Sequence, residues 1–335
     1  MNNCFLWIFD VQSFFIKDVK QVSSYEINDD EECSSKSLIY ISNSNINAQE
    51  KDIIFLKENN VKIFVGVIEN IENADDKTLK ITVSNIMSMF DEKVELNNEE
   101  LISESGIEDF LFSQITANYT IGVYALNYIR VNVLSHNKFN ISVENENGIY
   151  NLATFCNNCK KLYDLEIEFK MGDDNKYLDI YIYKKENEES SLIDLNLLEK
   201  EYIKSYYSST ILTCVKVLTD TKTYTLYLKN DRTTTENPID PDIVFGKRTT
   251  IYTSDYNNAK QEALNQFKAN RYEHYFSFRS NKEYNINQKI TIKTLNNDIL
   301  DSYISAKKYN GNGFFEYKCG NLRVDFIDKF LKEKR

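Results

Sequence analysis

Apolar and polar residues alternate with a period of two in several short segments, which is the pattern of β-strands with one buried face. In Thr78–Ser84, Leu79, Ile81 and Val83 fall on one face and the polar residues between them fall on the other. The same alternation occurs in 165–171, 178–183, 223–228, 290–292 and 322–326, and the apolar residues 5–9 predict a first strand. Many short strands joined by polar turns favour sheets that close as barrels or pack as sandwiches.

Turn-forming residues separate several of the predicted strands. Gly172–Asn175 lies between two alternating segments, Asn73–Asp76 follows the apolar run 61–71, and Asn296–Asp298 has the same role near the C-terminus. These residue types favour the short loops of β-hairpins. Gly311–Gly313 precedes an apolar segment, Phe314–Tyr317, so it predicts a hairpin turn. A phosphate-binding loop would need a helix after it and a third glycine in register.

A period close to 3.6 residues predicts three helices. Ser105 and Glu108 fit a capping box at the start of the first helix, and Ser254 or Asp255 would cap the third. The apolar stripes of the three helices are Ile107, Phe110, Leu111 and Ile115; Leu152, Phe155, Cys156, Cys159 and Leu162 or Tyr163; and Tyr256, Ala259, Ala263, Leu264 and Phe267.

The chain of 335 residues is long enough for two or three domains. We predict an α+β, mostly β fold in three regions: strands in 1–98, helices and hairpins in 99–204, and strands around one helix in 205–335. The last region could exchange strands with the first. The charged run Lys184–Glu189 predicts a solvated loop, and 231–242, which holds both prolines, predicts a linker or a long loop.

The charge and the cysteines restrict the class of protein. A net charge of −11 argues against tight binding of a phosphate backbone. No stretch reaches the ~18 apolar residues of a membrane helix, and Met1–Phe5 lacks the basic start of a signal peptide. The six cysteines are spread along the chain, which disfavours a disulfide framework. We therefore expect synthesis and folding in a cytoplasm, without a stable membrane anchor.

Cys156-Asn157-Asn158-Cys159 is the motif with the most chemical potential. A structural zinc site needs four ligands, usually from a second closely spaced pair, and the sequence has no second pair. The only histidines are His136 and His274. Both cysteines also fall on the apolar stripe of the second predicted helix, where a free thiol packs as a small hydrophobe. Core packing is therefore the preferred interpretation, with metal binding or redox chemistry as the alternative. A structural role is likewise preferred for His274, at a predicted strand entry.

Other catalytic signatures are missing from the sequence. There is no Walker A sequence, no His-Glu-x-x-His and no Gly-x-Ser-x-Gly. The chain has 51 acidic residues, and no pattern selects two of them as a pair for glycan hydrolysis. The sequence therefore predicts no enzyme, and no catalytic, cofactor-binding or metal site.

The order of the predicted elements resembles that of phage tail hub proteins, the baseplate or tail-tip hubs of tailed phages and phage-tail-like particles. Ile63–Ile71 followed by Thr78–Ser84 is similar to their early hairpin, where a Phe-x-Gly-x-Ile type strand precedes a domain boundary. Gly246–Tyr252, the helix with Ala259 and Ala263, and Tyr275–Phe278 resemble the second barrel of the hubs, and Gly320–Ile327 resembles their closing strand. Unlike many hubs, the chain has little glycine and no appended lysozyme, peptidase or spike.

The resemblance implies two tube-type antiparallel β-barrel domains with a small α/β middle domain between them. Three subunits would form a pseudo-sixfold ring that joins the hexameric tail tube or distal tail ring to the threefold tip and lines the ejection channel. Sheet edges would be protected by pairing between subunits. The implied partners are the tail tube or distal tail protein, the tape-measure protein and a tip spike or fibre protein. The location would be the tail tip of a virion or injection particle, assembled in the bacterial cytoplasm.

Two other classes of protein stay open. One is a different baseplate or distal tail subunit, and the other is a β module that binds a host receptor or glycan. Tyrosines on predicted strands, such as Tyr181, Tyr183 and Tyr227, would suit subunit interfaces or an ordinary strand surface equally well.

Overall fold

The structure is a computed structural model. It describes residues 3–31, 33–42, 45–95, 106–137, 149–172, 174–185, 191–193, 200–205, 212–231, 233–252, 259–267, 274–293 and 299–320.

The first six strands form a closed circuit of antiparallel pairs. They are β1 (Cys4–Phe9), β2 (Ile16–Asp30), β3 (Lys36–Ser42), β4 (Ile53–Glu58), β5 (Val61–Asp75) and β6 (Thr78–Asn85). The pairing order runs β1–β4–β5–β6–β3–β2, and β2 pairs again with β1. Inside the circuit lies a dry cluster that includes Leu6, Ile39, Ile54, Ile81 and Val83.

β1 and β4 are buried on both of their faces. Ile8 and Ile54 belong to the core inside the circuit, whereas Phe9, Ile53 and Phe55 belong to a second core outside it. A strand covered on both sides needs apolar residues at consecutive positions, which explains the continuous run 53–56.

The second core is covered by the middle part of the chain. A 3-10 helix (Ile86–Phe90) leads to β7 (Lys93–Glu95), α1 (Ile107–Ile115), a π-helical turn (Thr116–Thr120), β8 (Ile129–Val133), β9 (Ile149–Asn151), α2 (Leu152–Tyr163), β10 (Leu165–Met171) and β11 (Leu178–Lys184). β10 and β11 form an antiparallel hairpin, β8 pairs in parallel with β11, and β7 pairs with β9. The buried stripes of α1 and α2 belong to the same core as Phe9, Phe14 and Phe55.

The remaining strands fall into two groups. They are β12 (Ser191–Ile193), β13 (Lys200–Ser205), β14 (Leu212–Leu218), β15 (Thr223–Leu228), β16 (Thr234–Thr235), β17 (Lys247–Tyr252), β18 (His274–Ser280), β19 (Lys289–Lys293), β20 (Ile299–Tyr309) and β21 (Phe315–Cys319), with α3 (Ala259–Phe267). β16–β15–β14–β17 form a separate sheet under α3, in which β14 and β17 are parallel. β20, β21, β18 and β13 continue the large sheet of the first six strands, because β2 pairs with β20 through Ile27–Asp30.

The α+β, mostly β fold class predicted from the sequence is confirmed. The domain boundaries at 98 and 204 and the second barrel stay predictions. The described strands of 205–335 belong to the two sheets above, and the pairing of β2 with β20 links the first and last regions.

Most of the predicted hairpins are present. β10 and β11 meet across Gly172–Asn175, and β20 and β21 meet across Gly311–Gly313. The turn predicted at Asn73–Asp76 is misplaced: β5 continues to Asp75, which pairs with Thr78. The segment 231–242, predicted as a linker or a long loop, contains the two-residue strand β16, and a bridge joins Lys229 to Ile243 just beyond it.

The predicted helices are present. α1 starts after Gly106, whose φ of +136° suits glycine, and Glu108 and Asp109 lie in its first turn. Asn151 caps α2 by accepting a hydrogen bond from the backbone N–H of Thr154 at 2.9 Å. Several predicted features lie outside the described residues: Ser105, 186–189, 254–256, 296–298 and the late strand 322–326.

Candidate assembly surfaces

An apolar loop projects from the middle region, directly after the π-helical turn. Val123 and Tyr124 are 95% and 92% exposed, and Ile121 beside them is also exposed. Gly122 has a φ of +101°, and a side chain there would meet nothing within 4 Å. We call residues 121–124 the apolar tip. Large apolar side chains held in solvent are typical of a surface that meets a partner.

The base of the apolar tip is well supported by the core. Tyr119 is buried with its ring against Phe90, at 4.9 Å between centroids. The backbone N–H of Leu126 donates to the carbonyl of Tyr119 at 2.7 Å, which closes the loop. The hydroxyl of Tyr128 donates to the carbonyl of Val11 at 2.6 Å. These contacts anchor the two ends of the loop that carries the tip, which lowers the entropy cost of ordering it on a partner.

A second loop with exposed apolar residues belongs to the sheet under α3. Ile239 and Phe245 are 84% and 90% exposed. The ammonium of Lys229 lies 3.8 Å from a carboxylate oxygen of Asp240 and 3.9 Å from one of Asp242. These ion pairs and the Lys229–Ile243 bridge shape the loop that carries both side chains.

A cavity of about 830 Å³ lies between the six-strand circuit, the β10–β11 hairpin and the β18–β19 connection. Its lining holds five lysines and four carboxylates, so the charges nearly cancel. The ammonium of Lys160 lies 3.8 Å from a carboxylate oxygen of Glu166. Such a mixed lining gives no strong preference for an anion or a cation.

The deepest charges of this cavity compensate each other. Burial by itself lowers the pKa of Lys160, but Glu166, Cys33 and Asp29 outweigh it and raise that pKa above its usual value. Burial raises the pKa of Asp29, and Lys307 and Lys160 oppose this effect in part. A nearby opposite charge favours the ionised form of a buried group, so these groups offset part of one another's desolvation cost.

The cysteines of the Cys-x-x-Cys motif are packed in the second core, as the helical stripe predicts. Cys156 and Cys159 are both buried. Burial raises the pKa of Cys156 to about 12, and it raises the pKa of Cys159 well above its usual value. Only a small fraction of either thiol is therefore the reactive thiolate at neutral pH. Of the six cysteines, Cys33 alone is partly exposed, and it lines the cavity.

His136 forms an exposed pair with Asp109. Its Nδ1 lies 2.6 Å from a carboxylate oxygen of Asp109, and this contact raises the pKa of His136. Next to it, the buried carboxylate of Glu108 accepts hydrogen bonds from the hydroxyl of Ser135 and the backbone N–H of Asn137, both at 2.7 Å. The side-chain amide of Asn137 also donates to Glu108. The cluster connects the segment that follows β8 to the start of α1.

The strand tyrosines are less exposed than an open interface would require. Tyr181, Tyr183 and Tyr227 are all half-buried. The ammonium of Lys170 lies 5.0 Å from the ring centroid of Tyr181, and Tyr183 lines the cavity. His274 begins β18 and pairs with Ser205 on β13, which confirms the predicted strand entry.

No metal-holding cluster and no membrane-spanning helix occurs among the residues that the structure describes. Within those residues there is no group of three or more His, Cys, Asp or Glu side chains placed to hold a metal ion. No helix there is long and apolar enough to cross a membrane.

The fold is that of bacteriophage tail proteins. The chain is similar to the tail protein from Neisseria meningitidis MC58, with a TM-score of 0.57, 8% identity, and 95% of this chain and 96% of that chain covered. It is also similar to the prophage tail protein gp18 from Listeria monocytogenes EGD-e, with a TM-score of 0.57, 10% identity and 98% of both chains covered. For the 43 kDa tail protein of prophage MuSo2 from Shewanella oneidensis, the TM-score is 0.54, the identity 9%, and the coverage 95% and 96%.

At these identities the likeness establishes the fold, and it confirms at that level the resemblance derived from the sequence. No protein-family model matches the chain. No curated protein matches it either.

Proposed function

We propose that the chain is a structural subunit of a phage-type tail, and that three copies form the hub ring at the tail tip. The observation that carries this proposal is the shared fold with three phage tail proteins, which spans at least 95% of both chains in each case. The whole architecture, rather than one module of it, is what the chain shares with them.

The surfaces of the chain suit a subunit that is assembled with others. The apolar tip and the Ile239–Phe245 loop each expose large apolar side chains. A chain that works alone gains nothing from such exposure, whereas an assembled subunit buries it. The partners we propose are two further copies, the tail tube or distal tail protein, the tape-measure protein and a spike or fibre protein.

The role we propose is geometric and electrostatic rather than catalytic. Two barrel-like domains in each of three subunits would present six similar units to a hexameric tube. A net charge of −11 would let DNA pass through the ring without adhering to it. The buried thiols of Cys156 and Cys159, the paired His136 and the charge-balanced cavity support a structural role.

The mass of the purified protein in solution tests the proposal. Light scattering behind size exclusion should give about 118 kDa for three chains of 39.3 kDa, from 3 × 39.3. If the isolated chain is a monomer, mixing with its neighbouring tail proteins should produce a threefold ring in electron micrographs. A sixfold ring would instead indicate a distal tail protein.

A monomer that never joins a tail particle would refute the proposal. A glycan array would then test the alternative of a receptor-binding module.

A further inference from the structure

The turn of the β20–β21 hairpin contains two Asn-Gly pairs in succession, Asn310-Gly311 and Asn312-Gly313. Both asparagines and Gly313 are exposed. The φ angles of Gly311 and Gly313 are +77° and +82°, a region that favours glycine. Each glycine also leaves the backbone nitrogen that follows an asparagine without a neighbouring Cβ atom. The proposed function gives neither asparagine a role.

An asparagine followed by glycine can lose its side-chain amide without an enzyme. The backbone nitrogen of the glycine attacks Cγ of the asparagine and closes a succinimide ring. The side-chain nitrogen leaves as ammonia and takes the proton of the glycine N–H. Water then opens the ring at either carbonyl, which gives aspartate or isoaspartate. Because both reacting groups belong to one turn, the rate depends on how the turn holds them.

The turn holds the two side-chain carbonyls differently. Oδ1 of Asn312 accepts a hydrogen bond from the backbone N–H of Phe314 at 2.9 Å. Oδ1 of Asn310 accepts one from the backbone N–H of Asn312 at 3.4 Å, which is longer than an ordinary N–H···O bond. Attack on Cγ places negative charge on Oδ1, and a donor already in position stabilises that charge. This stabilisation is therefore stronger at Asn312.

The base of the turn is held by the sheet. Tyr309 and Phe315 pair across the two strands, and their rings stack at 4.4 Å between centroids. The hydroxyl of Tyr309 donates to a carboxylate oxygen of Glu58 at 3.0 Å. These contacts anchor both ends of the turn, so the folded protein presents the N–H of Phe314 to the side chain of Asn312.

We propose that the β20–β21 turn is a site of spontaneous deamidation, and that the fold directs the reaction to Asn312 ahead of Asn310. Each event replaces a neutral amide by a carboxylate and takes the net charge from −11 to −12, from −11 − 1. Isoaspartate also adds one carbon to the main chain inside the turn. Copies of different age therefore differ in charge and in backbone at one exposed turn.

Peptide mapping of the whole protein during incubation in mildly alkaline buffer measures both rates. Trypsin releases residues 309–318 as one peptide with both asparagines, and electron-transfer fragmentation distinguishes aspartate from isoaspartate at each. A third pair, Asn147-Gly148, lies outside the described residues and in another tryptic peptide. In the native protein, Asn312 should convert several-fold faster than Asn310. In guanidinium chloride the two rates should become similar, because the turn is lost.

Two variants of Phe314 test the hydrogen bond. Phe314→Pro removes the backbone N–H that Asn312 accepts, and Phe314→Ala removes the same ring but keeps that N–H. Phe314→Pro should slow the conversion of Asn312 toward the rate of Asn310, and Phe314→Ala should leave both rates unchanged. The fluorescence of Trp7 reports whether each variant is folded. If Phe314→Pro does not fold, the comparison of native and unfolded wild type decides alone.

Three results would overturn the proposal. One is a native protein that keeps both asparagines under conditions in which the unfolded chain loses them, because the turn would then protect them. Another is the same preference for Asn312 in the native and the unfolded chain, and the third is equal rates in the two Phe314 variants. None of these results bears on the ring, which the mass in solution tests separately.

Discussion

Gly66 lies in the six-strand circuit at a position with no room for a side chain. It lies on β5 between Ile54 of β4 and Asn85 of β6. A Cβ atom built there would lie 2.3 Å from the carbonyl oxygen of Ser84 and 2.7 Å from atoms of both Phe64 and Val83. A Cβ atom essentially never comes this close to another heavy atom, so the backbone of the strands would have to shift as well as the Phe64 and Val83 side chains.

Substitution of Gly66 by Ala should therefore destabilise the protein strongly. Overpacking of a core usually costs about 1–3 kcal/mol, and we expect about 3 kcal/mol here because one of the three contacts is to rigid backbone. With an m-value of roughly 3 kcal/mol per molar urea, the unfolding midpoint should fall by about 1 M. Trp7, the one tryptophan, lies on β1 and reports this unfolding by its fluorescence.

Gly313→Ala is the control, because its Cβ would meet nothing within 4 Å while its φ is +82°. It should cost only the backbone strain, about 1 kcal/mol. Equal unfolding midpoints for Gly66→Ala and the wild type, or a larger fall in the midpoint for Gly313→Ala, would refute the claim that the strands around Gly66 leave no room for a Cβ atom.

Three further predictions concern buried or paired groups. Burial raises the pKa of Cys156 to about 12 and also raises that of Cys159, so neither thiol should react with iodoacetamide at pH 8 until urea unfolds the protein. Rapid labelling of either cysteine in the native protein, measured by mass spectrometry, would contradict this. Asp109 raises the pKa of His136 above 6.5, so this pair stabilises the fold below pH 6.5, and its contribution is lost as the pH rises through the folded pKa. In NMR titrations, Asp109→Asn should bring the His136 midpoint back toward 6.5, and an unmoved midpoint would exclude the pair. Glu108→Ala should lower the free energy of unfolding by about 3 kcal/mol, because the donors of Ser135 and Asn137 lose their acceptor. An unfolding midpoint in urea equal to that of the wild type would show that water takes the place of the carboxylate as acceptor.

The half-buried strands were predictable because their signal is local. β6, β10, β11, β15 and β19 all coincide with segments that alternate with a period of two. One face of each meets a core and the other meets solvent or a polar neighbour, so the sequence itself carries the period. The same reasoning placed Cys156 and Cys159 in a core, because they share the apolar stripe of α2.

The strand β4 and the pairing partners were less accessible to sequence reasoning. Ile53–Leu56 lacks alternation because one face of the strand belongs to the core inside the circuit and the other to the second core. A continuous apolar run does not by itself reveal that two cores lie on its two sides. The parallel pairing of β8 with β11 and the pairing of β2 with β20 depend on segments far apart in the sequence. No local pattern specifies such partners.

The apolar tip was missed for a different reason. Ile121 and Val123 are of types that are usually buried, so residue type alone gives no indication that they are exposed. Exposure follows from the turn at Gly122 and from the way Tyr119 and Leu126 close the loop. The length of the uncharged run 110–129 was the available signal.

The pairing of β2 with β20 has a consequence for synthesis on the ribosome. Asp30 and its partner Ala306 are 276 residues apart, from 306 − 30. At about 5–20 residues per second, the segment Ile27–Asp30 waits roughly 15–60 s for its partner strand to be made. During that time its edge lacks the partner from its own chain and is open to the β20 of another newly made copy. We therefore expect strand exchange between copies to be most frequent when several are translated at once.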